Sequence, residues 1–351
     1  MKIALVTGSA GLVGSETVTF LARKGYFVIG IDNDMRSYFF GKEASTKWKL
    51  RELKNKHKNK YAHYTIDIRT ADALEKLFKK YEFQLIVHTA AQPSHDWAAK
   101  EPHTDFGINA QGTLNLLELY RRYCPKATFI FTSTNKVYGD SPNALPLVEL
   151  EKRFEISDQH PFSRGINESM SIDNCKHSIF GASKAAADIF VQEYGKYFGL
   201  NTAVFRCGCI TGPAHSGTQL HGFLSYLVKC IAQEKPYIIF GYKGKQVRDN
   251  IHSRDLVNMF WHYHQDPKEK GVVYNAGGGK FANVSMLEAI EKIEKVTGKK
   301  AIVTYHPENR AGDHIWYVSD LSKFKSHYPN WKPAYNIDKT IREIYNQIKK
   351  T

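Results

Sequence analysis

Cysteines and long apolar runs are both scarce in this sequence. The five cysteines are Cys124, Cys175, Cys207, Cys209 and Cys230, and no two of them form a Cys-x-x-Cys pair. An odd number without such pairs argues against a zinc site or a disulfide framework and is typical of a reducing cytoplasm. No stretch approaches the roughly 20 apolar residues of a transmembrane helix, and the start leaves no room for a signal peptide. We therefore expect a cytoplasmic protein with no membrane span and no metal site.

Acidic residues are outnumbered by basic ones, 35 to 49, which gives a net charge of +14. Such an excess suits a nucleic-acid partner, an anionic small substrate or a solvated basic surface. The densest basic run, residues 47–60, has few aromatic neighbours beyond Trp48 and Tyr61. Stacking platforms for nucleic acids interleave aromatic and basic residues. The pattern therefore favours a solvated helix and loop, and nucleic acid is not the expected partner.

Apolar strand-like runs alternate with helical patterns through the first 206 of the 351 residues. The predicted strands cover residues 2–7, 27–31, 61–67, 85–89, 128–132 and 202–206, and helices at 73–80 and 112–123 lie between some of them. This alternation predicts a parallel, doubly wound α/β sheet. Residues 141–174 lack clear periodicity, and a loop of that length in a compact protein is usually functional.

The remainder of the chain has a different pattern. It predicts a helix at 223–233, a strand at 237–240 and further helices at 289–297 and 335–350. The length suits one large domain, or one domain with a smaller partner.

Glycines at positions 8, 11 and 14 separate the first predicted strand from the first predicted helix. Gly8 permits a tight turn, Gly11 lets the backbone approach a pyrophosphate, and Gly14 lets the helix pack closely on the sheet. The helix N-terminus then offers free N–H groups and a positive dipole to the phosphates. Asp32 ends the next strand, where a carboxylate binds the ribose hydroxyls and repels a 2′-phosphate. The motif predicts NAD rather than NADP.

Two further strand ends fit the same cofactor. Asp67-Ile68 follows a later strand and is placed to flank the adenine, and residues 88–91 put small side chains where the cofactor could lie against the backbone. Close packing alone explains either motif nearly as well.

Taken together, several motifs in one order identify a family. They are residues 7–14, 32–33, 67–68, 88–91, 109–118, 133–139, Lys184, 248–252, 275–278 and the tail 320–333. The chain resembles the extended short-chain dehydrogenases/reductases, specifically the nucleotide-sugar epimerases and dehydratases. Residues 133–140, 244–249, 205–213 and 37–41 resemble the CDP-paratose 2-epimerase (CDP-tyvelose epimerase) branch.

The resemblance implies an NAD-binding Rossmann domain and a smaller α/β domain for the nucleotide sugar. We expect residues 1–208 and 245–275 in the first domain and 209–244 and 276–351 in the second. The implied cofactor contacts are Gly8, Ala10, Gly11, Leu12, Val13, Gly14, Asp32, Asn33, Asp67, Ile68, Thr89, Ala90, Ala91, Asn109, Ser133 and Lys184. Members commonly form homodimers through two helices, here 112–123 and 180–197.

The family oxidises a sugar hydroxyl with a Ser/Thr and a Tyr-x-x-x-Lys helix, whose lysine lowers the pKa of the tyrosine. Thr134 occupies the Ser/Thr position and Lys184 the lysine position, but Phe180 stands where the tyrosine belongs. Phenylalanine cannot transfer a proton. The chain is therefore expected to bind NAD and a nucleotide sugar but to turn over slowly.

Three explanations of Phe180 are compatible with the sequence. The change could be deliberate and made to trap a substrate complex, which we favour. A natural variant could use another base, with His177, Cys209 and Tyr138 as candidates. The chain could also be a binding protein for nucleotide sugar or RNA on the same fold.

The residues after Thr134 bear on the reaction. Related 4,6-dehydratases carry an Asp-Glu pair there, whereas this chain has Asn135-Lys136, so dehydration is not expected. Epimerisation of a CDP- or UDP-hexose remains, at C2 if the branch resemblance holds and at C4 as the alternative.

The substrate diphosphate needs cations. Arg248 fits a bidentate phosphate clamp and Arg310 is a second candidate, with a domain-interface salt bridge as the alternative for each arginine. The full set of expected substrate contacts is Gln92, Thr134, Asn135, Lys136, Arg206, Arg248, Arg310 and Asp313, with His95 also approaching the sugar or its phosphates.

Overall fold

The computed structural model describes residues 1–218, 222–310 and 312–350, which form two compact units. The first unit comprises Met1–Val137, Ile179–Arg206 and Val257–Tyr274. The second comprises Tyr138–Ser178, Cys207–Leu256 and Asn275–Thr351. The domain boundaries expected from the sequence stay a prediction.

The strands are numbered in chain order. They are β1 Ile3–Thr7, β2 Phe27–Ile31, β3 Tyr61–Tyr64, β4 Leu85–His88, β5 Thr128–Thr134, β6 Leu147–Glu149, β7 Phe154–Ile156, β8 Asn201–Cys207, β9 Cys209–Thr211, β10 Pro236–Phe240, β11 Val247–His252, β12 Val272–Ala276, β13 Asn283–Ser285, β14 Ile302–His306 and β15 Trp316–Tyr317.

The α-helices are numbered in the same way. They are α1 Leu12–Arg23, α2 Met35–Phe40, α3 Lys47–Lys56, α4 Ala71–Lys80, α5 His95–Lys100, α6 Pro102–Phe106, α7 Gly112–Tyr123, α8 Ile179–Phe198, α9 Phe223–Ala232, α10 Ser253–Gln265, α11 Met286–Thr297, α12 Ser322–His327 and α13 Ile337–Ile348. A π-helical turn, Gly107–Gln111, joins α6 to α7.

A seven-stranded sheet forms the centre of the first unit, in the order β12-β8-β5-β4-β1-β2-β3. The pairs from β3 to β5 are parallel. Inner strands such as β4 are buried along their whole length, because helices cover both faces of a parallel sheet. Leu5, Ile86 and Phe129 pack with Leu116 of α7 in its core. The predicted doubly wound α/β class is confirmed.

The second unit is built from short sheets and three packed helices. Strand β11 pairs antiparallel with β13 and parallel with β15 and β9, and β10 pairs parallel with β14. Leu227 of α9, Ile293 of α11 and Ile341 of α13 meet in its core.

Several predicted elements differ from the structure. Residues 141–174 are not one irregular loop, because β6 and β7 pair there as an antiparallel hairpin. The run predicted as a strand at 61–67 ends at Tyr64, and strand β12 was not predicted. The first turn of α11 begins at Met286, where Ser285 and Glu288 form a reciprocal capping box.

A buried ion pair ties α8 to the sheet in the first unit. The Asp188 carboxylate is fully buried and accepts hydrogen bonds from Arg206 Nε at 3.0 Å and Nη2 at 2.9 Å. Ser133 Oγ donates to the same carboxylate at 2.6 Å. Every partner in this triad is buried, so removing one leaves the others unsatisfied.

We expect Asp188→Ala to lower the free energy of unfolding by about 3–5 kcal/mol, because it leaves the Arg206 guanidinium buried without its anion. Urea unfolding followed by circular dichroism measures this change. Glu52→Ala is the matched control, since Glu52 pairs with Lys49 at the surface and such pairs contribute at most about 1 kcal/mol. Equal losses in the two variants would contradict the prediction.

Candidate functional site

The glycine loop between β1 and α1 has no room for a side chain at Gly8 or Gly14. A Cβ on Gly8, whose φ is +65°, would lie 2.8 Å from the backbone nitrogen of Ala90. A Cβ on Gly14 would lie 2.1 Å from the carbonyl oxygen of Gly8. No side chain among the described residues caps the helix at Gly11. Its first-turn N–H groups therefore stay available to an anion, as in a dinucleotide-binding turn.

Asp32 lies beside this loop at the end of β2. Its carboxylate accepts hydrogen bonds from the backbone N–H of Ala10 at 3.0 Å and of Asp34 at 2.8 Å. Burial raises the pKa of Asp32, while those two hydrogen bonds act in the opposite direction. Asp32 thus joins the glycine loop to the place where a ribose would lie.

The neighbouring strand end carries Asp67, as the sequence indicated. Asn33 Nδ2 donates to Asp67 Oδ2 at 3.2 Å, and Arg69 pairs with the same oxygen at 2.7 Å. Burial acts to raise the pKa of Asp67, but the hydrogen bonds from Arg69 outweigh it and the pKa lies below its ordinary value. Ile68 is buried. These groups form the outer end of the predicted cofactor site.

His88 is a structural residue at the end of β4. Its ring nitrogens lie 2.7 Å from Thr7 Oγ1 and 3.0 Å from Thr113 Oγ1. Complete burial, helped by the charge of Lys184, lowers the pKa of His88 to about 3. It stays neutral and fixes β4 against β1, which leaves Thr89, Ala90 and Ala91 partly exposed beyond the strand end.

Thr134 ends β5, and Lys184 lies against the same strand. Lys184 Nζ donates to the carbonyl oxygen of Thr132 at 2.9 Å and lies 4.1 Å from the centre of the Phe131 ring. Phe180 and Lys184 are one turn apart on α8, and both are buried. The structure thus brings the family's Ser/Thr and lysine positions, and Phe180, to the sheet edge where β1 and β4 also end.

A buried polar cluster, which we call the amide clamp, joins this region to α6 and the π-helical turn. Asp105 Oδ1 accepts from Gln92 Nε2 at 2.7 Å and from Asn109 Nδ2 at 3.0 Å. Asn109 Nδ2 also lies 3.1 Å from Ser183 Oγ, and Gln92 Nε2 donates to the carbonyl of Ser94 at 2.8 Å. Burial raises the pKa of Asp105, while its hydrogen-bond donors and Lys184 act against that rise.

The amide clamp places Gln92 and Asn109, predicted as substrate and cofactor contacts, in a buried network. Ser133 and Arg206 likewise have Asp188 as their partner. Asn135 is buried after β5, and Thr134 Oγ1 lies 3.4 Å from its Oδ1. The predicted ligand contacts of these residues stay predictions. Sequence reasoning missed Asp105 and Ser183, because no local motif signals a cluster whose members are up to 91 residues apart.

The second unit holds the predicted phosphate clamp. Arg248 Nη2 pairs with Asp313 Oδ1 at 2.6 Å, and the backbone N–H of Asp313 donates to the carbonyl of Arg310 at 3.2 Å. These three substrate candidates therefore lie together. Ala311, inside the predicted Arg310–Asp313 motif, is outside the described residues.

The three alternative bases lie in the second unit. The hydroxyl of Tyr138 is buried and donates to Asn275 Oδ1 at 2.8 Å. His177 lies beside Cys175, with Sγ 3.6 Å from Nε2. Cys209 begins β9 and pairs with Asn250 of β11.

The described residues contain neither a membrane-crossing helix nor a metal-binding cluster. In the part of the chain that the structure describes, no helix has the length and apolar character needed to cross a membrane. Within the same residues, no three His, Cys, Asp or Glu side chains are arranged to hold a metal ion.

Comparison with known proteins gives consistent results over the whole chain. Residues 4–277 match the NAD dependent epimerase/dehydratase family. The chain is 32% identical to the CDP-paratose 2-epimerase of Salmonella typhi, covering 99% of this chain and 98% of that protein. It is 30% identical to the UDP-glucuronate 4-epimerase of Thermodesulfobacterium geofontis, covering 99% and 97%.

Solved structures show the same fold. The UDP-glucuronic acid 4-epimerase of Bacillus cereus, solved as a tyrosine-to-phenylalanine mutant with a fluorinated UDP-sugar and NAD, aligns with a TM-score of 0.81 at 24% identity, covering 100% of this chain and 99% of that one. The UDP-glucose 4-epimerase of Bifidobacterium longum, with NAD and UDP, aligns with a TM-score of 0.80 over 100% and 99%.

We expect Gly14→Ala to weaken NAD binding at least about tenfold, because the loop must shift by an amount that costs roughly 1–3 kcal/mol. Titration of the purified apoprotein with NAD, followed by calorimetry, measures the affinity. Gly107→Ala is the control, since a Cβ there meets only the Arg69 side chain, at 3.3 Å. Unchanged affinity in a folded Gly14→Ala protein would show that the loop does not contact the cofactor.

Proposed function

The chain belongs to the NAD dependent epimerase/dehydratase family, and on that premise we propose that it epimerises a nucleoside-diphosphate hexose. The proposed reaction is inversion at C2 of a CDP-hexose through a transient keto sugar. One observation carries it: a glycine loop shaped for a dinucleotide, Thr134 and Lys184 all lie at one sheet edge.

The residues of the first unit fit the cofactor that this family uses. The side-chain-free backbone turn at Gly8 and Gly14, the first-turn N–H groups of α1 and the carboxylate of Asp32 suit a pyrophosphate and its ribose. When bound, NAD supplies a reversible hydride acceptor and is regenerated in each turnover. Lys184 is proposed to bind the nicotinamide ribose, and Thr134 is proposed to hydrogen-bond the reacting sugar oxygen.

Dehydration is a poorer fit than epimerisation. Elimination of water needs an acid and a base beyond the residues that serve hydride transfer. The two residues after Thr134 are Asn135, whose amide does not titrate, and Lys136, which is no carboxylic acid. C2 is favoured over C4 by the residues at 133–140 and by the match to a 2-epimerase over nearly its whole length. The match to 4-epimerases keeps C4 as the alternative.

Arg248 and Arg310 are proposed to bind the substrate diphosphate. A phosphate and the Asp313 carboxylate would compete for the same guanidinium, because Arg248 already holds Asp313 at 2.6 Å. Substrate binding is therefore expected to exchange one anion for another at Arg248, which keeps its charge paired throughout.

We expect proton NMR to detect inversion at C2 when this chain or its Phe180→Tyr variant is incubated with NAD and CDP-hexoses. In D₂O the inverted carbon should keep its hydrogen, because hydride leaves and returns without exchanging with solvent. Lys184→Met is the control and should abolish inversion in both backgrounds.

Inversion at C4 of a UDP-hexose would replace the C2 assignment. Deuterium at the inverted carbon would overturn the hydride route, and silence of both proteins with every CDP- and UDP-hexose would overturn the epimerase proposal.

A homodimer is proposed to form through α7 and α8. The large apolar side chains exposed on α8 are Ile179, Ile189, Phe190, Tyr197 and Phe198. An exposed cluster of this kind is typical of a protein interface. The first unit would bury it by pairing α7 and α8 with the same helices of a second copy.

We expect light scattering to give twice the 40.0 kDa chain mass for the wild type and one chain mass for Phe190→Glu, because the charge opposes burial of the helix face. Trp48→Glu on α3 is the control and should stay dimeric. A monomeric wild type, or a dimeric Phe190→Glu, would contradict this interface.

A further inference from the structure

The ring of Phe180 has an imidazole against it. The ring centroids of His95 and Phe180 are 5.0 Å apart, and the planes meet edge to face at 73°. Both residues belong to the first unit, and Phe180 lies one turn before Lys184 on α8. The position where this family places a phenol hydroxyl is therefore bordered by a titratable side chain from another helix.

His95 is held there by the amide clamp. It is the first residue of α5, directly after Ser94, whose hydroxyl caps the helix by accepting from Trp97 N–H. Gln92 binds the carbonyl of Ser94 and also binds Asp105. Asn109 completes the link to Ser183, which lies between Phe180 and Lys184 on α8. A buried network thus fixes the start of α5 relative to α8, and it fixes His95 relative to Phe180.

His95 offers the proton transfer that Phe180 cannot perform. A phenylalanine ring cannot exchange a proton, whereas imidazole is the side chain whose ordinary pKa lies nearest neutral pH. The helices packed around this pair carry, among other ionisable groups, Asp96 and Lys100 on α5, His103 and Asp105 on α6, and Lys184 and Asp188 on α8. An imidazole at this position can take a proton from a substrate hydroxyl and return it.

We propose that His95 is the acid–base residue of this enzyme, in place of the tyrosine hydroxyl that Phe180 lacks. This assignment rests on the proposed function, in which a sugar hydroxyl is oxidised and then reduced again. A ring nitrogen of His95 accepts the proton of the sugar hydroxyl while the hydrogen on the same carbon leaves with its electron pair for NAD, so the carbinol becomes a ketone. On the return, His95 gives the proton back to the oxygen as hydride returns to the opposite face. Phe180 is then a positioning residue, which supports the imidazole edge to face.

This proposal changes the expectation drawn from Phe180 alone. The chain is expected to turn over as it stands, because His95 transfers the proton and Phe180 positions His95. The sequence placed His95 near the substrate but assigned it no proton transfer.

The first test is His95→Asn, which keeps a hydrogen-bonding side chain but cannot titrate. We expect kcat to fall about 10²- to 10⁴-fold, the usual contribution of a general acid–base. The affinities for NAD and for the CDP-hexose, measured by calorimetry, should change less than about threefold, because the loss lies in the transition state. His103→Asn on α6 is the matched control and should keep the wild-type kcat, since His103 is exposed and has no assigned role.

Rescue and pH dependence separate proton transfer from a structural role. Adding Phe180→Tyr to His95→Asn should restore at least about tenfold of the lost kcat, because a phenol returns to the family position. The pH profile of wild-type kcat should show an acidic limb, because protonating the ring of His95 removes the base. That limb should disappear in the rescued double variant, whose base is a phenol.

Four results overturn the proposal. Full activity of His95→Asn shows that the base is elsewhere. A wild type that is inactive while Phe180→Tyr is active shows that His95 does not substitute for the phenol, and the proposed epimerase function then stands. Loss of activity in His95→Asn that Phe180→Tyr does not rescue, or a rescued double variant that keeps the acidic limb, assigns His95 a structural role. If both the wild type and Phe180→Tyr are inactive, the proposed function fails, and the assignment of His95 fails with it.

Discussion

The close approach of backbone to backbone at the carboxyl edge of the parallel sheet is the constraint on which the rest of this site depends. Gly14 lies so near the carbonyl of Gly8 that no side chain fits between them, and Gly8 in turn meets the backbone at Ala90. This contact fixes α1, β1 and β4 together. Because parallel strands all end at one edge, Asp32 after β2 and Thr134 at the end of β5 come to lie along that same edge.

Polar groups buried behind that edge hold it in place. His88 bridges Thr7 and Thr113, Asp188 holds Arg206, and the amide clamp joins α5 to α8. Each group would be costly if left unpaired in a low-dielectric interior. Their mutual satisfaction limits how far the strand ends and helices can move independently, and it makes the site rigid before any ligand arrives.

The local part of this structure could be predicted from the sequence, and the long-range part could not. The boundaries of α7 are those predicted, because its apolar positions repeat with helical spacing. The glycine loop and Asp32 were predicted because one local strand–turn–helix–strand unit carries both signals. The pairing of β6 with β7 left no such signal, since the strands are three residues long and irregular in pattern. The partner of Arg206 was equally hidden, because an arginine beside a predicted phosphate site and an arginine bound to a buried aspartate look alike in a sequence.

The role of Phe180 depends both on its neighbours along α8 and on its contact with another helix. Within the motif on α8, Phe180 lacks the hydroxyl oxygen of the usual tyrosine, although the lysine of the motif is present. In the first unit, the ring of Phe180 packs against His95. Lys184 contacts the carbonyl of Thr132 and the ring of Phe131. In the family motif, the charge of the lysine lowers the pKa of the tyrosine hydroxyl. With that hydroxyl absent, the charge of Lys184 still acts on neighbouring groups, lowering the pKa of His88 and opposing the rise at Asp105. The lysine therefore has an electrostatic role in this site that does not require a tyrosine.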